Sequence, residues 1–384
     1  MAIAFNASPG PSLGVEVELE LIDVRTGQLA SAATEILDEL GTRHPGGAHP
    51  RAKHELFECC IEVITGVSTT VAEARADLEA TIAEVRAAAG RRGLTLICSG
   101  SHPSSHWAEQ RVSPDPRYHR LVDAMAWMAR RLQIFGVHVH VGVRSPEKAI
   151  TIVNGLAGHI PVLLALSASS PFWEGHDTGL ASTRSKVFEG LPTAGLPAEL
   201  ADWGEFERYM DTLCAAEAIT SVREVWWDVR PHPDFGTVEL RMCDGLPTLL
   251  EVGAVAALSQ CLVAHLDELD DAGTPAPRPR DWILRENKWR AGRHGLDAEL
   301  IVDDAGTVRP ARDELRRLVQ ELAPTAERLG CTAELADVVR VLDAGASYER
   351  QRRVADGGRN LWAVTDQLAR ELSSGEPDRP ERAS

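Results

Sequence analysis

No Gly-x-x-x-x-Gly-Lys-Ser/Thr run occurs in the 384 residues, so the chain carries no P-loop. No Gly-x-Ser-x-Gly elbow occurs either, and Ser99–Pro103 (SGSHP) does not match it. The seven cysteines include no Cys-x-x-Cys pair, and their number is odd. They read as reduced, mostly buried thiols of a cytoplasmic protein. Basic charge is also scarce: 40 Lys and Arg stand against 57 Asp and Glu, a net charge of −17. A sequence-independent nucleic-acid binder needs a basic surface, so that class is excluded. The chain does not open on a charged segment followed by an apolar one, so no signal peptide is expected. No run of 18 residues is apolar throughout, so no membrane span is expected.

What is present is ordinary globular composition, with 44% hydrophobic and 25% charged residues. That is enough to build a core without disulfides. Residues 1–12 read as a flexible lead, 13–372 as a single catalytic domain, and 373–384 as a disordered tail. Strands are expected at 14–23, 55–65, 94–100, 134–143, 224–233 and 236–245. Helices are expected over 30–40, 70–92, 117–133, 145–169 with Pro161 inside, and 248–271, with a mainly helical last hundred residues. Residues 41–53 are turn-rich, 170–198 form a long loop, and 272–280 form a Pro-rich connector. There is no regular βα alternation. Clean two-sided strands point instead to an antiparallel sheet with helices on its apolar face, an α+β fold.

Residues 14–23, GVEVELELID, carry the functional signal. Glu16, Glu18 and Glu20 alternate with Val15, Val17, Leu19 and Leu21, so one strand face is a row of carboxylates. Further strands repeat the device. Glu58 and Glu62 share a face, with Glu55 at the entry; His138 and His140 share one opposite Val137, Val139 and Val141. Thr237, Glu239 and Arg241 share another, and Glu224, Trp226, Asp228 and Arg230 a fifth. A solvent face would mix Thr, Lys, Ser and Arg. These faces are carboxylate-rich, and like charges opposed in a sheet repel unless cations sit among them. Glutamates with one or two imidazoles favour Mg²⁺ or Mn²⁺ over zinc. Mg²⁺ beside Arg230 and Arg241 is what phosphoryl transfer from ATP needs. A metal-dependent hydrolase using the His-x-His pair is the alternative of another class, and a non-catalytic binding protein is a third.

Several blocks in order, "LGVEVELELID", "FGVHVHVGV", "LLALSASSPFWEGHDTGLASTRSKVF", "WWDVRPHPDFGTVELRMCD" and "RENKWRAGRHGLDAELI", closely resemble the carboxylate–amine ligase family called glutamate–cysteine ligase type 2. The resemblance spans roughly residues 13–370. It implies a glutamine-synthetase-like fold, a curved antiparallel funnel with helices packed outside. It implies ATP-dependent activation of a glutamate γ-carboxylate to an acyl phosphate, which the amine of cysteine or another amino acid attacks to give an amide. By position, Glu16, Glu18, Glu55, Glu62, His138 and Glu239 resemble the metal ligands for Mg²⁺, or Mn²⁺. Arg241, Arg230 and Glu239 resemble the catalytic side chains. Arg230, Arg241, Lys288 and Arg290 resemble the nucleotide site, with a surface role the alternative for the last two. A possible homodimer is implied. The long 170–198 loop is, separately, the candidate for a segment that closes over the site and excludes water. The usual first motif, G-x-E-E-E-F, here has Val17 in place of the middle Glu and Leu19 in place of the aromatic. Val17 points away from the carboxylate row, so the departure bears on the acceptor amine more than on the chemistry.

Overall fold

The computed structural model describes residues 3–378. In chain order, the first half forms β1 (Leu13–Asp23), α1 (Ala33–Gly41), β2 (Ala52–His54), β3 (Cys60–Ile64), α2 (Val71–Gly90), β4 (Leu94–Ile97), α3 (Pro116–Met125), α4 (Trp127–Arg130) and β5 (Val137–Gly142). There follow α5 (Pro146–Leu156), α6 (Ile160–Ser167), β6 (Phe172–Trp173), β7 (His176–Asp177), α7 (Thr183–Phe188), α8 (Trp203–Ala215), β8 (Val229–His232) and β9 (Thr237–Leu240). The rest is α9 (Leu249–Asp271), α10 (Asp281–His294), the hairpin β10 (Glu299–Ile301) and β11 (Val308–Pro310), α11 (Ala311–Leu329), α12 (Thr332–Ala344), α13 (Ser347–Val354) and α14 (Leu361–Ser374).

The main sheet runs β2-β3-β1-β5-β9-β8, with β4 also paired to β1. Every pairing in it is antiparallel. The long alternating β1 is its centre, because an 11-residue strand can serve three partners along its length. Its odd positions Val15, Val17, Leu19 and Leu21 are all buried, in one cluster with Leu78 and Ile82 of α2, Ile152 of α5 and Leu258 of α9. Each such side chain contributes about 1.5–3 kcal/mol by leaving water, which fixes which face of β1 is down. A slip of one residue would bury the carboxylates instead.

The helices start where their sequences say. Thr70 and Glu73 make a reciprocal capping box at α2. Ser145 caps α5 ahead of Pro146, and Thr248 caps α9 by accepting from the Glu251 amide. From Val252 to Ala264, α9 holds no charged residue, the mark of a helix buried on all sides. Two helical stretches, Pro146–Ser167 and Leu249–Asp271, are long and apolar enough to cross a membrane by length and composition alone. Asn154, His159 and Glu251 interrupt their apolar runs, so neither holds 18 apolar residues in succession. Their apolar windows are 78% and 89% buried inside the fold, where they form the core under the sheet.

Other expectations need correction. The strand expected over 55–65 is regular only over β3; residues 55–59, Glu55 among them, form an irregular link from β2, which lies in the stretch expected to be turns. Glu58 does not share the face of Glu62: it is buried and accepts from the Thr34 amide at 3.2 Å and its hydroxyl at 2.6 Å. The expected strand 224–233 is regular only over β8, so Glu224 and Trp226 stand outside it. The 170–198 loop contains β6, β7 and α7 and is fixed through buried Asp244, which accepts from the Ser170 and Ser182 hydroxyls at 2.7 and 2.8 Å. Residues 3–12 are pinned rather than loose. The Asn6 amide donates to Pro233 O at 3.0 Å, the Ser8 amide to Val143 O at 2.9 Å, and Gln260 to Pro11 O at 2.7 Å. At the β8–β9 turn Gly236 has φ +63°, and any side chain there would collide with Asn6 O. At the other end α14 reaches Ser374, and the Asp378 amide donates to Glu371 at 3.0 Å. The remainder of the expected tail, 379–384, lies outside the described residues.

Candidate active site

The polar face of the sheet floors a cleft of about 290 Å³. Antiparallel register sets its rows. Glu16 of β1 stands opposite His138 of β5, and Glu18 opposite Glu62 of β3. His140 of β5 stands opposite Glu239 of β9, which faces Arg230 of β8. The two-residue period of each strand keeps these side chains on one face.

Glu16 is the hub. Its Oε2 lies 3.2 Å from His138 Nδ1, and its Oε1 3.4 Å from His140 Nε2. Burial pushes its carboxyl up, but the two imidazoles outweigh burial and hold it well below the usual range. His140 is fixed from behind by Thr237 Oγ1, 3.1 Å from its Nδ1, while its buried Nε2 has no hydrogen-bond partner. Burial lowers the His140 pKa, yet Glu239 and Glu16 raise it overall. His138 is lowered, by burial first and then by the Arg241 charge. Glu239 is buried between two arginines: Arg230 Nε donates to Oε2 at 2.7 Å and Arg241 to Oε1. Those charges overcome burial and keep it well below the carboxylate range.

Glu62 is driven well above the usual range, by burial and then by the neighbouring charges of Glu16 and Glu55; Lys53 stands 3.3 Å away. Burial and the Glu18 charge push Glu55 up to about 7. Glu18 accepts from the Gly136 amide at 2.6 Å. A side chain at Gly136 would push on the Arg184 guanidinium, which donates to Met242 O and Arg241 O.

Two donor groups result, each with its ligand atoms within 4.8 Å of one another: Glu16, Glu62 and His138, and Glu16, His140 and Glu239. Glu16 belongs to both. A carboxylate-rich set with imidazoles, one of them with an orphaned buried nitrogen, fits a divalent cation of the Mg²⁺ or Mn²⁺ class. Of the six expected ligands, Glu16, Glu62, His138 and Glu239 fall in these groups. Glu18 and Glu55 line the same cleft outside them. His140 joins them; its place on the strand with His138 was legible, its partner on β9 was not.

The expected nucleotide residues divide. Arg230 and Arg241 line the cleft. Arg230 is already committed: beyond Glu239 it donates to Val222 O and Val225 O, both at 2.7 Å. Arg241 keeps a buried Nε without a partner. Lys288 and Arg290 do not line the cleft. Lys288 Nζ is buried between Asp228 at 2.6 Å and Glu189 at 2.8 Å. Arg290 pairs with Glu286 one helical turn away, at 2.7 Å on the surface of α10. The sequence reading passed over Arg184. It sits on α7, inside the segment read as a loop, and lines the cleft with an unpartnered Nε. Arg117, Arg223, Tyr118 and Phe235 also line it, from turns and helix ends that carry no strand periodicity to flag them.

The profile of glutamate–cysteine ligase family 2 (GCS2) matches residues 12–374. The chain belongs to this family. A Frankia alni protein, named provisionally as glutamate–cysteine ligase 2-1, is 57% identical over 380 residues, covering 98% of this chain and 99% of its own length. A Thermobifida fusca protein, named provisionally as glutamate–cysteine ligase 2, is 52% identical over 377 residues, covering 98% and 94%. Among solved structures, a Francisella tularensis glutamate–cysteine ligase in complex with AMP superposes with a TM-score of 0.67 at 12% identity, over 96% of this chain and 90% of that one. A bifunctional glutathione synthetase from Pasteurella multocida gives 0.66 at 13% identity, over 95% of this chain and 52% of that one. At such identities the likeness is one of fold, and the α+β, glutamine-synthetase-like architecture expected from the sequence is the one found. As a GCS2 member the chain is an ATP-dependent ligase, which sets aside the hydrolase and the non-catalytic readings.

Proposed function

We propose that this ligase joins the γ-carboxylate of glutamate to the amine of L-cysteine, converting ATP to ADP and phosphate through a γ-glutamyl phosphate. The observation that carries the reading is Glu16 set between two imidazoles, with Glu62 and Glu239 beside it and an arginine wall above. Glu16, Glu62, His138, His140 and Glu239 would hold Mg²⁺ or Mn²⁺, which when bound supplies positive charge to the ATP phosphates. Glu18 and Glu55 belong to the same acidic floor in this reading.

The remaining work falls to the chain's own side chains. Arg241 and Arg184 each offer a buried Nε with no protein partner, so they are preorganised to meet the transferring phosphoryl group. Arg230 acts through Glu239, which it holds in place. Glu55, as carboxylate, is the cleft group suited to take a proton from the acceptor's ammonium and leave the neutral amine that attacks, since its affinity for a proton lies near neutrality. The wall made by α7 and Leu191 keeps water from the acyl phosphate. Glutamate with a different amine is the second reading, favoured by Val17 and Leu19 standing where the family motif has glutamate and an aromatic. The cytoplasm belongs to the proposal because ATP and a free thiol are found there, and because all seven cysteines are unpaired.

The test is ADP release from Mg·ATP with glutamate and a panel of amines including cysteine, with product mass. Release that needs glutamate and one amine, with a mass equal to their sum less water, supports the reading and names the acceptor. Release that occurs only with another acid overturns the choice of glutamate.

A further inference from the structure

Asp244 is a fully buried carboxylate that the proposed chemistry does not use. It stands just beyond β9, the strand that presents Glu239 and leads into Arg241. It pairs through an isolated bridge with Gly136, whose amide holds Glu18. A carboxylate taken wholly out of water needs donors on its oxygens. Asp244 finds them on the two ends of the segment 169–182. Its Oδ2 accepts from the Ser169 amide at 3.0 Å and the Ser170 hydroxyl at 2.7 Å, and its Oδ1 accepts from the Ser182 hydroxyl at 2.8 Å. The backbone at Gly100 passes so close that any side chain there would collide with the Asp244 carboxylate.

Each of the two hydroxyls also has a second partner. Ser170 Oγ accepts from the Arg184 amide at 3.0 Å, and Ser182 Oγ caps α7 by accepting from the Ser185 amide at 3.2 Å. A hydroxyl that donates to a carboxylate is polarised into a better acceptor for the next amide. With six residues, α7 is too short to hold itself by propensity. Its first turn therefore takes its place from Asp244, and Arg184 stands in that turn. The Arg184 guanidinium donates to Met242 O at 3.3 Å and Arg241 O at 3.2 Å, and its Nη1 lies 3.9 Å from Asp244 Oδ1. That is too long for a hydrogen bond but close enough for strong attraction at a buried site. The nitrogen left over is the buried Nε, which has no protein partner, on a side chain that lines the cleft. The amide and the guanidinium of Arg184 are thus both referred to one carboxylate.

We infer, resting on the role proposed above for Arg184, that Asp244 is a positioning residue for the ligase reaction. It touches no substrate; through Ser170 and Ser182 it fixes where Arg184 meets the transferring phosphoryl group. A charge that answers charge developing in the transition state acts most strongly when it is already in place. Loss of Asp244 is therefore read in kcat and not in the binding of Mg·ATP.

The experiment is a double-mutant cycle on the full chain with D244N, R184M and the pair. ADP release gives kcat and the KM for Mg·ATP, with the acid and amine that the wild type uses. Asparagine keeps the shape of Asp244 but turns an NH₂ group towards donors. R184M should lower kcat by about 10²-fold or more. D244N should lower it by about tenfold or more, with KM within about twofold of wild type. In the R184M background D244N should change kcat by less than about twofold, because no guanidinium is left to place. A merely structural Asp244 gives the same fold loss in both backgrounds, and that result, or an unchanged kcat in D244N, overturns the positioning role alone. Near-normal kcat in R184M overturns the role of Arg184 and that of Asp244 with it, so the two failures are told apart. Should D244N not fold, Ser170→Ala takes its place in the cycle. It should lower kcat by about threefold or more, and again not in R184M; an equal loss in both backgrounds, or none in either, sinks the proposal.

Discussion

Replacing Lys288 with methionine distinguishes a phosphate-binding lysine from a buried counter-charge. The side chain is 4% exposed and holds Asp228, itself 5% exposed, at 2.6 Å; its second partner Glu189 is 31% exposed. Methionine matches the length but leaves the Asp228 carboxylate buried without its cation. Breaking a buried pair in this way costs about 3–5 kcal/mol. The Glu189 contact, partly in water, adds no more than about 1 kcal/mol. Against a total stability of about 5–15 kcal/mol the loss is large. With a urea slope of about 3 kcal/mol per molar, the unfolding midpoint should fall by about 1–2 M. Adding Asp228→Asn removes the stranded charge, so K288M/D228N should recover about 2 kcal/mol or more over K288M. The assay is urea unfolding followed by circular dichroism, with KM for Mg·ATP measured on the folded protein. The structure requires a stability loss with KM unchanged. A tenfold rise in KM with stability within about 0.5 kcal/mol of wild type would refute the ion-pair role and return Lys288 to the nucleotide site.

Glu16→Gln should lower kcat by about 10²–10³-fold or more while circular dichroism and melting stay near wild type, because the change removes the charge shared by both donor groups; near-normal turnover would refute the assignment. His102 is buried and accepts from the Ser104 and Ser105 amides at 3.2 and 2.9 Å, and burial lowers its pKa from 6.5 to about 3. The unfolded chain therefore takes up a proton below pH 6.5 that the native state refuses, so stability is full above that pH and drains as pH falls towards 3. His102→Asn, which keeps an acceptor, should show a loss between pH 6.5 and 5 that is smaller by about 2 kcal/mol, read by urea titration at each pH. Gly236→Ala forces a side chain into Asn6 O at a positive φ and should cost about 1–3 kcal/mol. It should also speed proteolysis within residues 3–12, and no change there would mean that the segment is not held at this turn.

How much was legible follows from where each signal lived. β1 alternates over 11 residues, so its faces, and hence Glu16, could be read directly. His138 and His140 followed by the same rule. The fold was legible because alternation on several strands leaves an antiparallel sheet few alternatives. That Lys288 and Arg290 lie outside the cleft could not be read, because a basic residue in a helical block has no periodic partner in the sequence. What decides it is Asp228, 60 residues away, and proximity at that separation is a product of folding. Arg184 was missed for the converse reason: Gly, Ser and Thr around it read as loop, while its helix is held by buried contacts to Asp244 rather than by propensity. Residues 3–12 looked loose by composition because their anchors engage mainly their own backbone groups, which no side-chain pattern reports.

The carboxylate row raised the question of what balances it, and the structure divides the answer. Part of the balance is supplied by the chain. Glu239 is answered by Arg230 and Arg241, and Glu16 by His138 and His140. Another part is supplied by protons: burial lifts Glu55, in the floor, to about 7, and Glu20, buried beyond the floor against Ser99, to about 8, so neither carboxyl needs to carry full charge. Glu62 remains. It is pushed well above the carboxylate range beside an ionised Glu16, and Lys53, half exposed at 3.3 Å, does not restore it. A carboxyl whose proton affinity is raised by burial first and then by neighbouring carboxylates is where a cation gains most on entry, because it displaces a proton and relieves the repulsion together. On the proposed function, the Glu16, Glu62 and His138 group would fill before the Glu16, His140 and Glu239 group, whose Glu239 would first have to loosen from two arginines. Proton release on adding Mn²⁺, measured in weakly buffered solution, should therefore be lost in Glu62→Gln and kept in Glu239→Gln; the opposite pattern would reverse the order of the two groups.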